Sequence, residues 1–375
     1  MLNEGLREIG GSAFQDCIAL QSINIPSTVT KIGFHIFLNC TNLREVVLNT
    51  GLEEIGHTAF ANCTALESIT MPSTITEISQ YAFSDCKELR EVVLNDGLEK
   101  IGYNAFQDCT SLQDIAIPSS VDEICCHTFS SCSSLREVVL SDGLKEIRQS
   151  AFQYCTALQS ITIPCTVLEI GQSAFIGCTN LRYVVLKEGI KKIKAYAFRE
   201  CTSLESITIP STVIEIDELA FMGCTRLREV VIHNEDVQIG HEAFHNCFLE
   251  RFKFPNLSTR LDIIIQAGQT DIEAKMDDIL TVEWRGGELI IPAVNREIEF
   301  PFWRRVLTES YKEKLDKIVR LIRYYEMKEA TTLFELALWK ARIDQTDMSN
   351  PADREACQIE VPGPVKDAIL QCLGL

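Results

Sequence analysis

The segment His241-Glu242-Ala243-Phe244-His245 has the spacing of a zinc metalloprotease motif, in which two histidines on one face of a helix bind the metal and the glutamate between them is the general base. A second cluster, Cys125-Cys126-His127 with Cys132 five residues on, holds the residue types of a thiolate–imidazole metal site. Neither survives comparison with the rest of the chain. Ala243 and Phe244 belong to an Ala-Phe pair that recurs throughout, and His241 stands where His57 and Tyr103 stand in other copies. A catalytic zinc also needs a third ligand and an open position, and the cysteine spacing fits no standard ligand set. No phosphate-binding loop, dinucleotide fingerprint or nucleophile elbow occurs, and the six histidines converge on no triad. The expectation is a chain without catalysis, metal or cofactor.

What positions those residues is a repeat. Cys17, Cys40, Cys63, Cys86, Cys109, Cys132, Cys155, Cys178, Cys201, Cys224 and Cys247 follow one another at intervals of 23 residues, and Phe14 to Phe244 keep the same interval. Cysteines on such a ruler read as small buried apolar fillers, expected to be reduced, rather than as a disulfide framework. A stretch such as Leu43-Arg44-Glu45-Val46-Val47-Leu48 carries the L-x-x-L-x-L strand signature of leucine-rich repeats. Alternation of Leu66, Ile69 and Met71 turns one strand face inward. A turn follows, then an inward isoleucine (Ile32, Ile55) and a short Gly-x-x-Ala-Phe segment. Turns with Pro26, Pro72, Pro118, Pro164 and Pro210 alternate with turns carrying Gly51, Gly97, Gly143 and Gly189, so the sequence unit is 46 residues.

The pattern C-T-x-L-x-x-I-x-I-P-S-x-V-x-x-I-G-x-x-A-F resembles BspA-type leucine-rich repeats, over about two thirds of the chain. The resemblance implies a surface or binding protein and brings no catalytic residues. The expected fold is an α/β solenoid, right-handed and gently curved, with one parallel strand per coil and about eleven coils over residues 1–256. A hairpin and mainly α-helical module is expected over 257–375.

Stacking strands about 4.8 Å apart turns each outward repeat position into a row, and ten strands make a face of roughly 45 Å. One row runs Asn24, Val47, Thr70, Val93, Ala116, Val139, Thr162, Val185, Thr208, Val231. An exposed apolar strip is a binding cue, and β-branched residues also suit a flat sheet on propensity alone. A second row places Glu91, Asp114 and Glu137 side by side and includes Tyr183; the acids attract a cation or a basic partner side chain or are simply solvated, with solvation the stronger reading. A third row sets Arg44, Arg90, Arg136, Arg182 and Arg228 between glutamine or glutamate, which keeps like charges apart. Candidate binding residues are Val93, Val139, Val185, Tyr183, Glu91, Asp114 and Glu137.

At the start, Leu2-Asn3-Glu4-Gly5-Leu6 aligns with the end of a strand, so the expectation is that an N-terminal cap lies upstream or that a partner covers this end. Leu249, Phe252 and Phe254 read as a last coil one residue short, and Val282 to Ile291 as two strands around a glycine turn. Helical spacing recurs over 311–325, from Thr332 and over 364–372; this tail loosely resembles those of some microalgal repeat proteins. A formal charge of −18 argues against nucleic acid and anionic membrane. No apolar run is long enough to span a bilayer, and a cytoplasmic location is expected. Together these features predict a protein-binding scaffold acting through the strand face; the alternative is an adhesin or sensor for a cell-surface or glycan ligand.

Overall fold

The computed structural model describes residues 2, 5–234, 236–249, 251–253 and 255, with 283–285, 288–292 and 320. The repeat winds as a solenoid of parallel strands, and each coil contributes two strands where one was expected. The longer set begins with Ser22–Asn24, Glu45–Val47 and Ser68–Thr70 and continues to Glu229–Ile232 and Arg251–Lys253. The shorter set, from Glu8–Ile9 and Lys31–Ile32 to Gln238–Ile239, forms one unbroken sheet of 11 strands. Two-residue strands leave no period-2 signature, so the inward Ile32 and Ile55 read as single anchors. In space they are the buried half of an exposed–buried pair.

As far as Glu229–Ile232 the long strands pair two by two, each Pro-type coil with the coil after it, and Glu229–Ile232 pairs in addition with Arg251–Lys253. Proline explains the interruption. At Pro-to-Gly junctions the amides of Lys187 and His233 donate to the carbonyls of Ile163 and Ile209 at 3.3 and 3.1 Å. At the following junction the same position is Pro72, Pro118, Pro164 or Pro210, which has no N–H to give. Side chains close those junctions. The hydroxyls of Thr74 and Ser120 donate to the carbonyls of Leu52 and Leu98, both at 2.6 Å. Asn49 Nδ2 donates to the Ile25 carbonyl at 2.6 Å across the opposite junction. The 46-residue period is therefore a mechanical one, with each turn type clamping the other. Gly51 is required at its turn by a φ of 115°, and a Cβ there would meet the Ser27 carbonyl oxygen at 2.6 Å.

The third side of the coil is built from tight turns, so the helical share of the expected α/β coil is not formed in this segment. Alternate amides donate to the next coil, as in His35 to His57, Phe37 to Ala59 and Asn39 to Ala61 at 3.0, 2.8 and 3.0 Å. The amides between them turn back three residues, as in Ala59 to Gly56 and Ala61 to Thr58 at 3.1 and 3.2 Å. Thr58 and Asn62 take φ of 51° and 58° to allow this, a left-handed conformation whose cost the coil-to-coil bonds offset.

Inside, Cys109, Leu112, Ile115, Ile117, Val121, Ile124 and Phe129 of one coil are all buried. At ~1.5–3 kcal/mol per large apolar side chain, such a set outweighs any surface contact of the coil. Phe14 to Phe244 form one continuous stack with centroids 5.1 to 5.5 Å apart. The last coil pairs Glu229 with Arg251 and Val231 with Lys253, an offset of 22 that accounts for the missing residue. The expected hairpin is present as Glu283–Arg285 antiparallel to Glu288–Pro292, with Trp284 opposite Leu289. The helices expected over 311–325, from Thr332 and over 364–372 lie outside the described residues.

Candidate functional site

The long strands carry the valine row and the acid row outward, and the arginine row lies one residue ahead of them. The strands from Glu45–Val47 to Ser206–Ile209 begin exposed–buried–exposed, so Glu91 and Val93 flank the buried Val92, and Glu137 and Val139 flank the buried Val138. Register sets Val93 beside Thr70, Val139 beside Ala116 and Val185 beside Thr162, which makes the row a strip of methyl groups. Val93, Val139 and Val185 are 43%, 50% and 52% exposed, and Tyr183, opposite Ser160 in the adjoining row, is 65% exposed. Leu168 and Ile214 are equally open on the other side of the coil, but Lys145 and Lys191 take the equivalent positions of the coils before them, so no exposed apolar row forms. Only the valine strip lies in a row whose intervening positions are Thr or Ala.

Asp114 and Glu137 face each other across a ladder, with Glu91 on the coil before. The short-strand face offers a control, because it too holds three consecutive acids, Glu123, Glu146 and Glu169. There the charge is neutralised: Arg148 Nε lies 2.7 Å from Glu123 and 3.1 Å from Glu146, and Lys194 Nζ lies 3.8 Å from Glu169. Further pairs on that face join Lys100 to Glu77 at 2.8 Å and Lys192 to Glu215 at 2.7 Å. Among the described residues, no ion pair reaches Glu91, Asp114 or Glu137.

The sequence profile of the BspA-type leucine-rich-repeat region matches residues 1–90, 53–182 and 145–265 in overlapping stretches, together well over half of the chain. The chain belongs to this family. Among solved structures, a leucine-rich-repeat protein from Bacteroides ovatus is 27% identical, covering 65% of this chain and 80% of that one, with a TM-score of 0.42. A leucine-rich cell-surface protein from Faecalibacterium prausnitzii is 26% identical over 66% of this chain and 83% of that one, with a TM-score of 0.40. A leucine-rich-repeat protein of T. pallidum is 32% identical over 48% of this chain and 74% of that one, with a TM-score of 0.38. No curated protein matches. Leucine-rich-repeat proteins are generally interaction or adhesion scaffolds, and no catalytic family is matched.

The BspA-type coil also explains the two clusters of apparent chemistry. Glu242 takes a φ of 51°, so the HExxH segment is a repeat turn and not a helix. Ala243 and Phe244 are buried, Phe244 stacking on Phe221 at 5.1 Å. His241 Nε2 and His245 Nδ1 lie 3.6 and 3.9 Å from the two carboxylate oxygens of Glu242, so the glutamate sits between the rings rather than beyond them as a base. Cys125 fills the repeat glycine position and points its thiol at Glu123 Oε1, 3.0 Å away; burial first, and then that carboxylate, push its pKa up to about 12. Its thiol proton is thus committed to that carboxylate.

The cysteine ladder does more than fill space. Each Sγ from Cys40 to Cys247 donates to the carbonyl of the phenylalanine 26 residues earlier, as in Cys63 to Phe37, Cys132 to Phe106 and Cys178 to Phe152 at 3.2, 3.1 and 3.2 Å. The 23-residue ruler alone reported burial. A polar role was signalled by the choice of cysteine over alanine, since a small site needing a weak donor in apolar surroundings suits a thiol.

Proposed function

We propose that the chain is a non-catalytic scaffold that docks a protein partner on its long-strand face. The observation that carries this reading is the methyl strip of Val93, Val139 and Val185, held open in register with Tyr183 beside it. Solvent-exposed apolar rows cost free energy that a docked partner recovers, and tyrosine adds amphipathic contact area at low entropic cost. The acids Glu91, Asp114 and Glu137, without an ionic partner among the described residues while the equivalent run on the short-strand face is neutralised, favour a partner with basic side chains alongside an apolar ridge. Charge of that kind sets orientation and association rate more than final affinity.

The test is capture from native extract by the intact chain and by Val139→Asp, with circular dichroism on both. The reading expects a protein lost specifically with Val139→Asp while the spectrum is unchanged. A partner that stays bound to the variant, or is lost only when the spectrum also collapses, contradicts it.

A further inference from the structure

We propose that the corner between the short strands and the Phe-stack turns, over residues 34–104, is a binding strip for a neutral oligosaccharide, separate from the long-strand face. Two adjacent repeat positions run down this corner, and four successive coils place there Phe34 with His35, His57 with Thr58, Tyr81 with Gln80, and Tyr103 with Asn104. Every coil therefore offers at least one ring and, beside it, a side chain that hydrogen-bonds. The rings touch in sequence: Phe34 to His35 at 5.5 Å, His35 to His57 at 5.6 Å, His57 to Tyr81 at 5.9 Å between centroids. Phe34, Tyr81 and Tyr103 are 59%, 38% and 41% exposed.

The strip is built rather than incidental. Backbone amides of His35, Thr58 and Tyr81 donate to the carbonyls of His57, Gln80 and Tyr103 at 3.0, 3.1 and 2.9 Å, which fixes the coil-to-coil spacing. His57 Nδ1 lies 3.0 Å from the Gln80 carbonyl oxygen, which sets the orientation of its ring. Phe34 lies flat over Gly11, where a Cβ would meet its ring at 2.7 Å.

Charge selects the ligand class. In a chain with 23% charged residues, none of these eight positions is Asp, Glu, Lys or Arg. The guanidinium of Arg148, within electrostatic reach of Tyr103, is already engaged by Glu123 and Glu146 at 2.7 and 3.1 Å, so a charged ligand gains little here. A neutral pyranose chain finds what it needs: ring faces for its apolar C–H surfaces, neighbouring amide, hydroxyl and imidazole groups for its hydroxyls, and a repeat comparable to the strand spacing.

The test is titration calorimetry of the whole chain with cellohexaose and maltohexaose, with a hexuronate and decaproline as the charged and the proline-rich alternatives. The proposal expects a neutral hexamer to bind, to bind about tenfold or more weakly to Tyr81→Ala/Tyr103→Ala, and to bind unchanged to Val139→Asp. Phe34→Ala, at the far end of the strip, gives an independent reading should the double variant melt early. The proposal is overturned by no heat from either neutral hexamer, by binding that survives both sets of aromatic variants, or by preferential binding of the hexuronate or decaproline.

Discussion

Phe129 and Cys178, two coils apart, do different work in the same core. Phe129 sits in the stack between Phe106 and Phe152 at 5.5 and 5.4 Å, wholly buried, so Phe129→Ala opens a cavity that the rigid stack cannot close. A loss of about 3–5 kcal/mol is expected in denaturant unfolding. The thiols predict a pH dependence of known sign. Burial raises Cys40 to about 11 and Cys178 to about 12, whereas an unfolded thiol titrates near ~8.5. The folded state therefore holds protons that the unfolded chain gives up, so stability is full below pH ~8.5 and declines as pH rises toward the folded values. The melting temperature should fall across that window, and less steeply for Cys178→Ala; an equal slope in both would remove the ladder from the explanation. At this scale the sequence revealed which residues are buried, because the ruler is unbroken. It did not reveal the thiol-to-carbonyl bonds, which depend on where a phenylalanine carbonyl 26 residues earlier comes to lie in space.

The strand is the scale at which the candidate surface was legible. A strict period of 23 places every third-row, second-row and valine residue on the same side, and the register confirms Asp114 opposite Glu137 and Thr162 opposite Val185. Neighbouring residues on one strand then have opposite fates. Val138→Asp puts a carboxylate into the core and should unfold the surrounding coils, whereas Val139→Asp, half exposed, should change stability by under about 0.5 kcal/mol. Matched thermal melts decide this, and equal losses would mean the face assignment is wrong. The second strand set was illegible for a physical reason: Lys31–Ile32 is too short to show alternation, and its identity lies wholly in backbone bonds to the coils on either side. The aromatic corner was missed because its rings shift between two adjacent columns, so no single repeat position shows them as a row.

Across the repeat region the two strand faces divide the work. The short-strand face pairs charges internally and runs unbroken through 11 strands, while the long-strand face exposes valines together with Glu91, Asp114 and Glu137, which have no ion pair among the described residues. Solenoids distribute stability by nearest-neighbour contacts, so the Phe129→Ala cavity should raise amide exchange most in the coils directly above and below it, with protection recovering toward the coils of Phe37 and Phe221. Uniform loss of protection along the whole repeat would show a more cooperative unit than this architecture implies. Which face meets the partner is decided by placing a photo-reactive side chain at position 139 in one version of the chain and at position 146 in another, then cross-linking in native extract. The account predicts a partner band from position 139 and none from position 146, on the self-neutralised sheet; a band from position 146 alone, or equal bands from both, contradicts it.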